Sequence, residues 1–107
     1  MSCYLVVLVT VPAQSEADTI AEALISERLA ACVNIIPGLT SVYRWEGKVL
    51  RESELLLVIK TTSDRYSELQ ARVKQLHSYT TPEIIALEFT NASEDYLAWI
   101  DESILTI

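Results

Sequence analysis

Two long stretches of strand-forming residues, 31–43 and 49–62, dominate the middle of this chain. The tetrapeptide Trp-Glu-Gly-Lys at residues 45–48 separates them and predicts a turn, so the pattern indicates one long β-hairpin. Thirteen residues of strand extend about 43 Å at ~3.3 Å per residue. A 107-residue domain has a radius of gyration near 13 Å and is only about 33 Å across. The hairpin is therefore expected to project beyond its own domain.

The projecting part of the hairpin is rich in apolar side chains. They are Val42, Tyr43, Trp45, Val49 and Leu50. An exposed apolar edge is an aggregation hazard unless something covers it. Half of the chain is hydrophobic, which is rich for a small monomer. A closed ring of subunits would cover the projecting surface, so the residues alone predict an oligomer.

The rest of the pattern completes an alternating order of strands and helices. It predicts a strand at 4–11, a helix at 16–28, a helix at 64–77, a strand at 83–90, a short third helix after Ser93 and a possible short strand at 104–107. Ser15 with Asp18 resembles a capping box for the first helix, and Thr62 or Ser63 is expected to cap the second. A kink or bulge is predicted at residues 37–38.

This order predicts a single α+β domain spanning residues 1–107. The sequence β-α-β-β-α-β is that of a ferredoxin-like fold, an antiparallel sheet with helices on one face, here extended by a C-terminal helix. Right-handed crossovers place the fourth strand at one edge, followed by the first, third and second.

Charge and hydropathy exclude several classes of partner. The net charge of −7 argues against nucleic acid and against an anionic membrane surface. No segment approaches the ~20 apolar residues of a membrane-spanning helix. The N-terminus lacks the basic start of a signal peptide, so a cytoplasmic location is expected.

The two cysteines, Cys3 and Cys32, are expected to remain free thiols. The predicted topology places them at the same end of the sheet on strands separated by a third strand, about 9 to 10 Å apart. A disulfide requires Cα atoms within about 7 Å.

A metal site would need three or four ligands, such as the Cys32 thiol, the His77 imidazole and the Glu83 carboxylate. The topology places Cys32 at the opposite end of the sheet from His77 and Glu83, so only a cleft between subunits would unite them. Two simpler interpretations stay open. His77 would favour a helix C-terminus through the macrodipole, and Cys32 would act as a small buried hydrophobe.

No catalytic constellation is visible, and the chain is predicted not to be an enzyme. Glu46, Glu52 and Glu54 would suit acid–base work but more simply form a solvated edge. Lys60 interrupts an apolar run and is expected at the sheet rim or in a pair. The aromatic residues Trp45, Tyr79, Tyr96 and Trp99 suit a core or interface, or else a cleft that also contains Lys60 and Glu83.

Several stretches together resemble the CutA divalent-cation-tolerance family. They are LAACVNI (29–35), VYRWEGKV (42–49), ELLLVIKT (54–61), PEIIAL (82–87) and YLAWI (96–100), in the family's order and over nearly the whole chain. The resemblance implies a homotrimer of ferredoxin-like subunits whose hairpins pair between neighbours, with an architecture like that of the PII signal proteins.

The resemblance also implies a cleft near the subunit boundaries and proposed binding of copper or another divalent cation. The matching positions are Cys32, Trp45, Glu46, Lys60, His77, Tyr79, Glu83, Tyr96 and Trp99. One departure is the tripeptide His77-Ser78-Tyr79, where the family usually has His-Pro-Tyr. Losing that proline is expected to loosen the loop that would aim His77.

Three functions compete on these grounds. The leading hypothesis is a metal-tolerance homotrimer that binds divalent metal, with Cu²⁺ as the candidate ion, between subunits and requires no other cofactor. The second is a PII-like signalling trimer that binds a small molecule or a protein partner, for which Lys60 would matter more than the thiol. The third is a trimeric structural scaffold.

Overall fold

The computed structural model describes residues 2–105. Within that range it contains β1 (Tyr4–Val11), α1 (Gln14–Ser26), β2 (Cys32–Trp45), β3 (Lys48–Thr62), α2 (Ser63–Leu76), β4 (Ile84–Phe89) and α3 (Glu94–Ile104). The predicted ferredoxin-like order with an added C-terminal helix is confirmed.

The four strands form one sheet in the order β2-β3-β1-β4, and every neighbouring pair is antiparallel. This is the strand order expected from right-handed crossovers. The sheet begins at the β2 edge and ends at the β4 edge, while β1 and β3 occupy its centre. The central strands therefore receive partners on both sides, which suits their aliphatic composition.

One face of the sheet carries the main hydrophobic core. Alternate residues of a strand point to the same side, so every second residue of β1 and β3 meets the helices α1 and α2. The fully buried residues of this core include Val7, Val9, Val11, Ile20, Leu24, Leu57, Ile59, Leu69 and Val73. Burying these side chains supplies the main driving force for the fold of one chain.

The other face of the sheet is apolar but largely uncovered within one chain, and we call it the open face. Its apolar residues are Val6, Leu8, Leu56, Val58, Ile85 and Leu87. Ile85 is 47% exposed and Leu87 is 53% exposed. The continuous apolar pattern of β1 thus has two different consequences, a core on one side and an apolar surface on the other.

α3 covers only one end of the open face. Its Ile100 and Ile104 form a second small cluster with Ala31, and Tyr4 and Phe89 pack against that cluster. Tyr4 and Phe89 are opposite one another in the β1–β4 register. The helix therefore leaves the middle of the open face without a partner from the described residues.

The β2–β3 hairpin projects beyond the sheet, as predicted. β1 pairs with β3 only as far as Val11 and Leu55, whereas β2 and β3 continue to pair with each other up to Trp45 and Lys48. The molecule measures 45 × 25 × 23 Å in consequence. We call residues 39–54 the projecting hairpin.

Two backbone features shape this hairpin. The register shifts between Ile36 and Leu39, which confirms the predicted bulge, and Gly38 there has a φ of +85°. At the tip, Glu46 and Gly47 have φ of +50° and +78°. Two successive residues with positive φ favour the twist that closes a tight hairpin.

The capping box predicted for α1 is wrong. The helix begins at Gln14, two residues early, with Ala13 extended at its N-cap and no side-chain cap. Ser15 instead accepts a hydrogen bond from Thr19 Oγ1 through its carbonyl oxygen. The helix ends at Ser26 because Arg28 turns into the left-handed region at φ +58°.

The other predicted caps have mixed outcomes. Ser93 caps α3 by accepting from the Tyr96 N–H, as predicted. α2 has Thr62 at its N-cap without a side-chain bond, and Ser63 Oγ instead accepts from the Cys3 N–H. The possible strand at 104–107 is wrong at Ile104, which ends α3; residues 106–107 lie outside the described range.

Candidate functional site

Cys32 lies at the start of β2 within a group of polar and aromatic side chains on the sheet. It is directly opposite Lys60, so both side chains are on the same face, and Lys60 Nζ donates to Asn34 Oδ1. Lys60 is therefore paired, one of the two expected situations. Tyr96 and Trp99 on α3 stack with ring centroids 5.6 Å apart. Burial, and after it the nearby Cys32, raises the pKa of Tyr96.

His77 lies at the other end of the sheet, at the C-cap of α2. Its Nε2 is 2.7 Å from the Thr10 carbonyl oxygen, and its Nδ1 is 3.0 Å from the Tyr79 backbone nitrogen. A carbonyl oxygen only accepts, so Nε2 carries the proton and Nδ1 accepts from the Tyr79 N–H. The side chain is fully buried. Nε2 thus fastens the loop after α2 to the end of β1, while Nδ1 holds the backbone of the loop itself.

Tyr79, whose ring centroid is 4.8 Å from that of His77, and Tyr43 each bind a carboxylate of β3. Tyr79 Oη donates to Glu54 Oε2 at 3.0 Å, and Tyr43 Oη donates to Glu52 Oε1 at 2.9 Å. Glu54 is buried, so the interpretation of these glutamates as a solvated edge is wrong for this residue. Tyr79 reaches across from the loop after α2, covers Glu54 and supplies the hydrogen bond that its burial requires.

The environment of Tyr79 predicts a loss of stability in alkali. Burial, the hydrogen bond to Glu54 and the negative charge of Glu54 raise the pKa of Tyr79 from its ordinary value of 10.0 to about 12. Between pH 10 and 12 the unfolded chain releases this proton while the folded chain retains it. Stability is therefore complete below pH 10 and falls as pH rises towards 12, by about 1 to 2 kcal/mol.

Urea unfolding at pH 9 and near pH 11.5 measures this loss, with Tyr79→Phe as the matched variant. The substitution removes the titrating hydroxyl, so the variant is expected to lose about 1 to 2 kcal/mol less than the wild type over that interval. Since other tyrosines titrate in both proteins, only the difference between them is informative. An identical alkaline loss would contradict the assignment to Tyr79.

The structure separates the three predicted metal ligands within one chain. Cys32 is level with Lys60 and hence with Val6 of β1, whereas His77 is bonded to Thr10. Four residues along β1 correspond to about 13 Å. Glu83 is exposed just before β4, at the His77 end. Among residues 2–105 no group of three or more His, Cys, Asp and Glu side chains is close enough to hold a metal ion.

The predicted cleft residues divide in the same way. Lys60, Tyr96 and Trp99 accompany Cys32, and Tyr79 accompanies His77. Trp45 and Glu46 lie at the tip of the projecting hairpin, about 20 Å beyond Glu54 along the strand. The residues singled out in the sequence therefore form two groups and a separate hairpin tip, and one chain does not bring them into one cleft.

Several contributors to these two groups escaped sequence reasoning. They are Thr10, Glu16, Asn34 and Tyr43. Tyr43 and Glu52 are diagonal neighbours across the hairpin. If the pairing register of β2 with β3 had been known from the sequence, it would have predicted this contact. No local signal identifies Glu16 or the Thr10 carbonyl, because their partners are 62 and 67 residues away. Cys3 and Cys32 are both free thiols, as predicted.

No helix within residues 2–105 is long and apolar enough to cross a membrane. The prediction of no membrane-spanning helix agrees with this finding for the described part of the chain.

Comparisons with known proteins identify close relatives. Residues 5–103 match the family model described as CutA1 divalent ion tolerance protein. The divalent-cation tolerance protein CutA of Thermus thermophilus is 56% identical over 98 residues, which cover 92% of this chain and 95% of that protein. The chloroplastic protein CutA of Arabidopsis thaliana is 48% identical, over 92% of this chain and 54% of that longer protein.

The solved structures agree with the sequence relatives. The structure of the divalent cation tolerance protein from Thermus thermophilus superposes with a TM-score of 0.91 at 55% sequence identity, covering 94% of this chain and 97% of that one.

Proposed function

Because this chain belongs to the CutA1 divalent ion tolerance protein family, we propose that it is a homotrimeric module that binds divalent metal ions, preferably copper, at sites between subunits. It would serve metal tolerance in the cytosol and would not act as an enzyme. The observation that carries this proposal is the position of Cys32. Its half-buried thiol lies at the α3-covered end of the open face, beside the middle of that face, which one chain leaves uncovered and where a neighbouring subunit would lie.

Assembly is supported by the amount of apolar surface exposed in a single chain. The projecting hairpin adds further exposed apolar side chains, Trp45 on the same side as the open face and Val42 and Val49 on the opposite side. Monomeric proteins rarely leave such surface contiguous and unprotected. Both edges of the sheet, β2 and β4, also carry unpaired backbone groups. Three subunits packed around their open faces would cover these surfaces.

Metal binding is supported by the donor set that two subunits would offer together. Cys32 of one subunit would be joined by His77 and Glu83 of its neighbour. Thiolate and imidazole suit copper. The Nε2–H of His77 is already held by the Thr10 carbonyl, an arrangement that typically orients a ligating histidine and leaves Nδ1 as the donor. In the free chain the His77 side chain is fully buried and Nδ1 accepts from the Tyr79 N–H, so metal binding would require the loop after α2 to open and the ion to replace that hydrogen bond.

Calorimetric titration of the purified oligomer with Cu²⁺, without oxygen, tests this proposal. Saturable binding of about one ion per subunit is expected, and Cys32→Ser or His77→Gln should each lower the affinity at least about tenfold. Glutamine is chosen because its amide still donates to Thr10. Cys3→Ser, which removes the other free thiol, is the matched control and should bind as the wild type does.

Weak binding that survives both substitutions would contradict the proposed site. Ca²⁺ provides a further comparison, because it prefers oxygen ligands. If Ca²⁺ binds as well as Cu²⁺, the acidic surface of the chain is merely collecting cations.

A second function is favoured by Lys60. Its ammonium group donates to Asn34 and lies on the same side of the sheet as Cys32, which is close to Tyr96, a combination that suits a small anionic ligand. This would make the chain a signalling trimer of the PII kind. A metabolite that raises the melting temperature in the presence of a chelator, and does so less in Lys60→Met, would favour this function over metal binding.

A further inference from the structure

Glu16 connects the first turn of α1 to the loop that follows α2. Its Oε2 accepts a hydrogen bond from the Ser78 N–H at 3.1 Å, across 62 residues of sequence. The side chain is only 16% exposed. α1 has no side-chain cap at Ala13, and Glu16 is the acidic residue of its first turn. The unpaired N–H groups at the start of the helix favour a carboxylate at this position.

The contact between Glu16 and His77 is of a different kind. Glu16 Oε2 is 3.4 Å from His77 Nδ1, but Nδ1 is the acceptor of the Tyr79 N–H in the neutral ring. Two acceptors do not form a hydrogen bond with each other. The backbone N–H of Ser78 is therefore the donor through which Glu16 holds this loop.

Three consecutive residues of the loop are each fastened to a different element. His77 is bonded to Thr10 of β1, Ser78 to Glu16 of α1, and Tyr79 to Glu54 of β3. The bond from the Ser78 N–H to Glu16 is the one that connects this loop to a helix, α1, and its acceptor is a carboxylate. If it is lost, the Ser78 N–H retains no hydrogen-bond acceptor among residues 2–105.

We propose that Glu16 is a positioning residue that fixes the backbone of residues 77–79 and so sets the placement of the His77 and Tyr79 side chains. The inference goes beyond the proposed function and does not depend on whether a metal ion binds to His77. It concerns the geometry of the loop itself, which can be measured without any ligand.

The backbone here offers an independent way to restore the same restraint. His77 has φ −78° and ψ 139°, the extended conformation that a residue before proline adopts. A proline at position 78 would fix its own φ and remove the N–H that Glu16 accepts. Ser78→Pro should therefore substitute for the Glu16 contact rather than disrupt the loop.

Hydrogen–deuterium exchange of the Tyr79 amide in the intact oligomer tests this role. Glu16→Ala should accelerate that exchange about tenfold. Glu16→Gln, which keeps an acceptor, should stay within about threefold of the wild type. The double variant Glu16→Ala with Ser78→Pro should also return to within about threefold, because the proline supplies the lost restraint. Glu22→Ala, an exposed acidic residue of the same helix, is the control and should change nothing.

The Val7 amide in the core of β1 serves as internal reference. If Glu16→Ala accelerates Tyr79 and Val7 equally, Glu16 acts on global stability and the proposal is overturned. Unchanged Tyr79 exchange in Glu16→Ala overturns it as well. Should that variant not fold, Glu16→Asp decides, because its carboxylate is one methylene shorter and no longer reaches the Ser78 N–H: Tyr79 exchange unchanged from the wild type overturns the proposal.

Discussion

Replacing Leu87 with aspartate is expected to break the proposed trimer into single chains. Leu87 belongs to the open face, where it lies opposite Val6 of β1 and is 53% exposed in a single chain. At such an exposed position the substitution costs the fold of the chain itself little. In the proposed trimer the same carboxylate would be removed from water without a partner, once in every subunit, at a cost of several kcal/mol each.

Light scattering measures the mass directly, and circular dichroism checks that the chain remains folded. The dissociation constant of the assembly should rise by more than about 100-fold. Leu105→Asp is the matched control, since Leu105 is also an exposed leucine, at 58%, but follows α3 outside the sheet. It should leave the mass unchanged. A trimeric Leu87→Asp variant would remove the open face from the proposed interface.

The layout of the fold could be predicted because its main signals are local and consistent. The 4–11 run, the 45–48 turn and the Ser93 cap each act within a few residues, and all agree with one topology. The near-continuous apolar pattern of β1 also indicates that both faces of this strand are apolar. Val7 and Val9 face the core, whereas Val6 and Leu8 face a surface that the chain leaves open. Such a strand indicates a second covering layer from outside the chain.

The first helix shows where local signals fail. Ser15 and Asp18 have the spacing of a capping box, but Pro12 ends β1 and Ala13 is already extended, so the helix starts before Ser15 is available as a cap. The position at which β1 ends therefore determines where α1 begins. Side-chain preference at a cap contributes only about 1 kcal/mol and yields to such a constraint.

The candidate site was predictable in its layout but not in its contacts. Strand direction alone places Cys32 and His77 at opposite ends of the sheet, and the structure agrees. The burial of Glu54 depends on Tyr79, which is 25 residues away. The loop contact of Glu16 likewise depends on how α1 packs. Contacts of this kind follow from tertiary packing, and no periodicity in the sequence reports them.

The proposed division of the metal ligands between subunits predicts the second large effect. If each site combines Cys32 of one subunit with His77 of its neighbour, neither Cys32→Ser nor His77→Gln alone forms a complete site. A trimer that contains both variant chains would nevertheless contain some boundaries where an intact Cys32 meets an intact His77. When equal amounts of the two variant chains assemble at random, about a quarter of all subunit boundaries combine an intact Cys32 with an intact His77. Binding that both parents lack should therefore reappear in the mixture.

The most direct measurement is the Cu²⁺ stoichiometry of the two variants refolded together, compared with each variant refolded alone and with the wild type. Almost no high-affinity binding is expected in either variant, about one ion per subunit in the wild type, and about a quarter of that in the refolded mixture as a whole. A mixture that binds no more than its parents would contradict a site shared between subunits.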